Sequence, residues 1–242
     1  MKKIINQFLL ITHIRIVVGK ARLFYFTKIL RSLKTIESND AIKMTVKHNL
    51  KGLTQFGLSR MNKIIKPLSV LENVSKDSKI LVIGPRNEED LLNLIGNGFN
   101  KKNLIGLDLI SYSPLIEIGD MHNTRYDENY FDVVVCGWTL SYSNYPFKFA
   151  KEMTRITKNG GVVAIGVEYS TLSLEDDIEV HQGYSLTTEG FDRINSVAAI
   201  LKLFSNNVGE VYFNHDAPNK ISHTGKLKDN VSSVVAIFSL KK

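Results

Sequence analysis

The stretch LVIGPRNEED at 81–90, followed by LIGLDL at 104–109, decides how this chain reads. A short apolar run ends in Gly84, a helix begins within a few residues, and a second apolar run ends in Asp108. That is the strand–turn–helix–strand–acid layout of a nucleoside-binding α/β domain, in which a carboxylate at the tip of the second strand accepts both ribose hydroxyls. Gly84 and Asp108 are 24 positions apart, close to the roughly 20 that this geometry calls for. The turn itself is poor in glycine. Pro85, Arg86 and Asn87 stand where a dinucleotide site needs bare backbone N–H groups around a pyrophosphate. Glu88, Glu89 and Asp90 then open the helix, three acids where a pyrophosphate wants none. The turn fits a nucleoside ligand without phosphates.

The chain has 242 residues, enough for one α/β domain and an extension. A hydrophobic content of 43% and a charged content of 23% are those of a soluble globular protein. Cys136 is the sole cysteine, which excludes an intramolecular disulfide or a cysteine-rich metal site and suits a reducing, cytoplasmic setting. The histidines, among them His48, His122, His181, His215 and His223, form no HxxxH or HxH pair, so no histidine metal centre is expected. The net charge of +7 is unevenly placed. Residues 1–66 hold 14 Lys or Arg against only Glu37 and Asp40, whereas residues 67–242 hold 17 basic and 22 acidic side chains. This divides the chain into a basic, mainly helical extension at 1–66 and a mildly acidic domain at 67–242.

In MKKIINQFLLITHIRIVVGKARLFYFTKIL (1–30), Asn6, Gln7, His13 and Arg15 interrupt the apolar run, well short of the roughly 18 residues of a spanning helix. No transmembrane segment or signal peptide is expected. The pattern suits a helical extension packing on the domain, or alternatively an amphipathic helix meeting a membrane surface or a polyanion. From residue 79 the elements alternate. Strands are expected at 79–84, 103–108, 115–119, 131–136 and 161–168, and helices at 88–97 and 146–157. Asn87 with Asp90 reads as a capping-box-like start. Phe149, Met153 and Ile156 fall on a core face, and NGG (159–161) reads as a glycine stop. Residues 185–205 read as an amphipathic helix, with Phe191, Ile194, Leu201 and Phe204 on or near one face and Thr187 or Thr188 as cap. VYF (211–213) and VVAIFSL (234–240) read as a late hairpin.

This alternation predicts a parallel sheet with its ligand at the carboxyl ends of the strands. Those ends carry Gly84 to Arg86, then Asp108 and Leu109, then Gly119 to His122, then Gly137 to Thr139. The segments KILVIGPRNEED, LIGLDL, EIGDMH, FDVVVCGWTLSY and EMTRITKNGGVVAIGVEY appear in that order. Over roughly 75–240 the chain thereby resembles the class I S-adenosylmethionine-dependent methyltransferases of the type 11-like group. The resemblance implies a Rossmann-like, seven-stranded, mostly parallel sheet with an antiparallel C-terminal strand and helices on both faces. It implies S-adenosylmethionine as cofactor. Asp108, followed by Leu109, would hold the ribose hydroxyls, and Asp120 would accept the adenine amino group beside an apolar wall from Met121. Gly84, followed by Pro85, would admit the methionine portion, and Gly137 and Trp138 would line the opening near the sulfonium, where an aromatic face favours a cation. The chain departs from the family at Val82, where an acid is usual, and at Arg86 and Glu88, which replace the second and third glycines. Arg86 would then meet the cofactor carboxylate and Glu88 or Glu89 its ammonium group.

Methyl transfer from a sulfonium is an in-line displacement that asks mainly for positioning, with a base only where the acceptor loses a proton. His122, Glu168 and His181 are the candidate bases, with Tyr142 and Tyr169 as further ones. The segment 169–188, after the fifth strand where a lid or acceptor wall would sit, carries Glu175, Asp176, Asp177 and Glu179, acids that oppose a phosphate-rich acceptor. In NYPF (144–147), Pro146 reads as a helix start. The domain lacks the interleaved aromatic and basic residues of a nucleic-acid groove. The expected acceptor is a small molecule or glycan. A nucleic-acid acceptor held through residues 1–66, peripheral membrane contact, and a non-catalytic binding protein of this fold are the other classes considered.

Overall fold

A computed structural model describes residues 6–37, 40–57, 59–170, 173, 193–216 and 231–242. It opens with helix α1 (Thr12–Phe24), strand β1 (Lys34–Thr35), helix α2 (Asp40–Gly52) and helix α3 (Asn62–Val70). Then come β2 (Ile80–Ile83), α4 (Glu89–Gly96), β3 (Leu104–Asp108), β4 (Ile110–Ser111), β5 (Ile116–Ile118) and β6 (Phe131–Gly137). The remainder is α5 (Pro146–Ile156), β7 (Thr157–Ser170), α6 (Val197–Phe204), β8 (Val208–His215) and β9 (Val231–Leu240).

Seven strands form one sheet in the order β5-β3-β2-β6-β7-β9-β8, and β1 pairs with β4 in a separate two-stranded ribbon. Neighbours from β5 to β7 are parallel, while β9 runs antiparallel between β7 and β8. The expected mostly parallel sheet, its antiparallel C-terminal strand and its late hairpin are all present. The chain leaves β2 for β3 on one side and returns to β6 on the other. A crevice therefore opens at the carboxyl end of β2, where ligands bind in such sheets.

Strand residues alternate between faces, so a strand covered on both sides reads as an unbroken apolar run. Ile80 and Val82 of β2 lie in one core cluster with Ile64, Ile65 and Leu68 of α3 and Leu91 and Leu94 of α4. Leu81 and Ile83 lie in the other, under Phe149, Met153 and Ile156 of α5 and Ile200 and Phe204 of α6. The N-terminal segment shares the first cluster through Leu9, Leu23, Leu53 and Met61. Arg15 of α1 is buried there as well and donates to the Leu9 carbonyl at 2.8 Å.

Three local expectations are corrected. Helix α5 stops at Thr157, whose backbone is extended and whose N–H and hydroxyl both donate to the Met153 carbonyl, the hydroxyl at 2.7 Å. NGG lies inside β7. There the pairing advances from Thr157 to Val162 while the partner strand advances only from Phe131 to Val133, and Gly160, at φ +74°, sits in the bulge. Of the helix expected at 185–205, the described residues form α-helix only over Val197–Phe204. Residues 193–195 are non-helical, and α6 starts at Val197 with Ser196 Oγ accepting from Ala199 N–H at 3.0 Å. Phe191, Thr187 and Thr188 lie outside the described residues. At α4, Asn87 caps as expected by accepting from Glu89 N–H at 3.0 Å, but Asp90 turns to the crevice instead of completing the box.

Candidate functional site

A cavity of about 310 Å³ lies at the carboxyl ends of β2, β3, β5 and β6, a volume within the range of small-ligand sites. Gly84, Pro85, Arg86, Asp108, Leu109, Asp120, Met121, Gly137 and Trp138 all line it, and so does His122. These residues come from four turns far apart in sequence, and the parallel strand order brings them together. Ile42, Thr45 and Asn49 of α2 line the same cavity from the N-terminal side.

Backbone conformation at the rim is unusual. Gly84 sits at φ +66°, and a Cβ there would overlap the Thr139 hydroxyl. Arg86 stands at φ +52° and Trp138 at φ +62°, left-handed conformations that cost a non-glycine residue about 1–2 kcal/mol. Arg86 thus keeps the glycine-type backbone without the glycine. Its N–H donates to Asp108 Oδ2 at 2.8 Å, and the Trp138 N–H donates to the Gly166 carbonyl at 2.7 Å. Both contacts fix the strained turns against neighbouring strands.

Asp108 is buried. Its Oδ1 accepts from Asn49 Nδ2 at 2.8 Å and from Ile110 N–H at 3.2 Å. Burial pushes its pKa up, opposed by the hydrogen bonds from Arg86, Ile110, Asn49 and Leu109. Glu88 is fully buried and faces away from the cavity. Arg22 of α1 grips both Glu88 oxygens, with Nη2 to Oε1 at 2.7 Å, and the Glu88 backbone N–H donates to the Tyr112 hydroxyl at 2.9 Å. That leaves Glu88 unsuited to a cofactor ammonium group. Glu89 does line the cavity, but its Oε2 accepts from Gly57 N–H at 2.6 Å, and Arg15 Nε stands 3.7 Å from Oε1. Asp90 is the acid that sequence reasoning passed over. It lines the cavity, and burial, then the nearby Glu89 charge, raise its pKa to about 7.

Asp120, His122 and Ser143 form a chain. His122 Nδ1 lies 2.6 Å from Asp120 Oδ1, and its Nε2 lies 2.7 Å from Ser143 Oγ, which also accepts from Tyr145 N–H at 3.0 Å. A carboxylate only accepts, so in the neutral ring Nδ1 carries the proton and Nε2 accepts from the Ser143 hydroxyl. Both nitrogens of His122 are therefore engaged. The bond from His122 holds the Asp120 carboxyl below its usual range. Glu168 is not among the residues lining the cavity. It accepts from Arg60 Nη1 at 3.0 Å, and the Arg60 guanidinium lies 5.1 Å from the centre of the Trp138 ring. His181 lies outside the described residues, as does most of 169–188. Tyr142 lines the cavity, whereas Tyr169 packs against the second core cluster. Among the described residues no cluster of His, Cys, Asp or Glu is able to hold a metal ion.

Arg60 and Asn49 also escaped sequence reasoning. Both belong to the segment before β2, and nothing local marks a residue that meets a partner 59 positions away. Asp90 did carry a signal, because the first turn of a helix that follows a sheet's first strand faces the ligand crevice.

Seven strands in this order, with a cavity over the carboxyl ends of the first four in sequence, define the Rossmann-like methyltransferase fold. A family model described as a methyltransferase domain matches residues 96–165. The match begins after the turn at 81–90 in which the chain departs from the family pattern. Solved structures agree in fold. A candidate sarcosine dimethylglycine methyltransferase from Galdieria sulphuraria superposes with a TM-score of 0.56 at 11% identity, over 83% of this chain and 98% of that one. A candidate methyltransferase from Haloferax volcanii, in complex with the Trm112 methyltransferase activator, gives 0.54 at 13% identity over 84% and 97%. A candidate S-adenosylmethionine-dependent methyltransferase from Listeria monocytogenes gives 0.51 at 11% identity over 76% and 99%. No curated protein sequence matches the chain. The chain resembles the class I S-adenosylmethionine-dependent methyltransferases in both the matched segment and the fold.

Proposed function

We propose that the chain is an S-adenosylmethionine-dependent methyltransferase acting on a small-molecule or glycan acceptor. The observation that carries this reading is the convergence of Gly84, Asp108, Asp120 and Trp138 on one cavity at the carboxyl ends of the strands. The donor set suits the cofactor. It offers a buried carboxylate for hydroxyls, a second carboxylate for an amino group, and apolar walls from Leu107, Leu109 and Met121. Asp90 supplies an acid facing the cavity in place of the one missing at Val82, and we assign it to the cofactor ammonium group. A carboxylate has about four lone-pair positions, and the Asn49 amide with the backbone N–H groups of Arg86, Leu109 and Ile110 already takes them up on Asp108. Asn49 is the donor a ribose hydroxyl would displace, because the others are backbone groups that hold the turn.

When bound, the cofactor supplies a methyl group on a positively charged sulfur. The work of this chain is then to orient and to exclude water. Trp138, its ring braced by Arg60, faces the developing reaction as an apolar wall. His122 serves Asp120 first, holding that carboxylate in place by a charge-assisted hydrogen bond. It reaches an acceptor proton only by giving up Ser143. Calorimetry tests the reading. The wild type is expected to bind both S-adenosylmethionine and S-adenosylhomocysteine, and Asp108→Ala is expected to weaken both by roughly 10- to 150-fold. No heat from the wild type would remove the proposal, whereas unchanged affinity in Asp108→Ala would remove only the ribose assignment.

A further inference from the structure

A basic and apolar surface formed by residues 8–34 has no part in the cavity. Nine large apolar side chains within 8–33 stand exposed, including Val17 at 67%, Phe24 at 59%, Ile29 at 60% and Leu30 at 51%. On α1 they follow helical spacing. His13, Val17, Lys20 and Phe24 form one exposed ridge, while Arg15, Gly19 and Leu23 form the buried one. Lys28 continues the ridge in the wide helical turn Tyr25–Ile29 that follows α1. Arg15 and Arg22 are occupied at Glu89 and Glu88, so the cations left on the outer face are Lys20, Lys28, Arg31 and Lys34, all exposed. The sequence has no acid before Glu37. Exposed apolar groups on this scale mark an interaction site.

We propose that this face seats the protein on an anionic lipid surface. Such a surface is negatively charged outside and apolar beneath, and the face offers the complement of both, with apolar side chains flanked by cations whose stems are long enough to reach head groups. A second copy of the chain would set the same four cations against their equivalents. Nucleic acid would satisfy the cations but leave Val17, Ile29 and Leu30 without a partner. The charge division of the chain points the same way, since residues 67–242 are net acidic and turn away from an anionic plane. Among the described residues no helix is long and apolar enough to cross a membrane, so the contact is peripheral. The proposal is independent of methyl transfer.

Co-sedimentation of the full chain with vesicles tests it. Binding is expected to vesicles containing phosphatidylglycerol, to be weak to phosphatidylcholine alone, and to fall as salt rises. The variant Val17→Ser/Phe24→Ser/Ile29→Ser should lower the partition about tenfold or more through lost apolar burial. The variant Lys20→Gln/Lys28→Gln/Arg31→Gln/Lys34→Gln should lower it about 100-fold or more. The altered side chains are exposed, so both variants should keep the wild-type thermal midpoint; if one set unfolds, the other still decides. No pelleting with anionic vesicles, or equal pelleting by wild type and folded variants, overturns the proposal. So does a wild-type dimer that the apolar variant dissolves, because the face would then belong to a second copy.

Discussion

Arg86 holds a left-handed backbone at φ +52° that a glycine would adopt freely. Its N–H bond to Asp108 keeps it there. Replacing it by glycine removes the strain, whereas replacing it by alanine removes the side chain and leaves the strain. Arg86→Gly should therefore be more stable than Arg86→Ala by about 1 kcal/mol in urea unfolding. Asp90 carries a second test. Its folded pKa of about 7 lies above the unfolded value near 3.9. Between those values the folded protein holds a proton that the unfolded chain has lost, so this group's contribution to stability falls as pH rises from about 4 to about 7 and is level above. A cation bound against Asp90 would expel that proton. Near pH 6 the heat of S-adenosylmethionine binding should vary with the ionisation heat of the buffer, and Asp90→Asn should abolish the variation. A buffer-independent heat in the wild type would sink the ammonium assignment.

At the scale of elements, α1 and α4 are joined by a charge that the sequence does not foretell. Glu88 opens α4 with no exposed surface, and among the described residues Arg22 of α1 is the cation paired with it. Arg22→Leu should destabilise the protein by roughly 3–5 kcal/mol, because it leaves a buried carboxylate uncompensated. Adding Glu88→Gln should restore most of that loss, and denaturant melts of the single and double variants measure the coupling. Element positions were largely legible from β2 onwards. ILVI, LIGLD and FDVVVCG are strands because both faces are covered, and PFKFAKEMTRI is a helix because Phe149, Met153 and Ile156 meet on one side. Element ends were less legible. Helix α5 ends where the Thr157 backbone turns extended, three residues before the glycines, and the Ser196 hydroxyl sets the start of α6. A side chain that caps looks, in sequence, like any other polar residue.

At the scale of the molecule, the order of strand ends in the sequence determines the cavity as soon as the sheet is parallel and turns back at β2. Gly84, Asp108, Asp120 and Gly137 could be gathered in advance because topology alone makes them neighbours. Their partners could not. Asn49 on Asp108, Arg60 on Trp138 and Glu168, and Ser143 behind His122 depend on how helices and turns lie across the sheet.

What the sequence by itself determined is the sheet, its antiparallel last strand and the acids at its strand tips. Apolar periodicity and strand–helix alternation are local properties, and handed crossovers leave few ways to assemble them. Only the tertiary structure decided which acids face the cavity. Glu88, Glu89 and Asp90 are adjacent in sequence, and successive residues around a helix point about 100° apart. Glu88 therefore meets Arg22, Glu89 meets Gly57 and Arg15 at the cavity wall, and Asp90 is left facing the cavity itself.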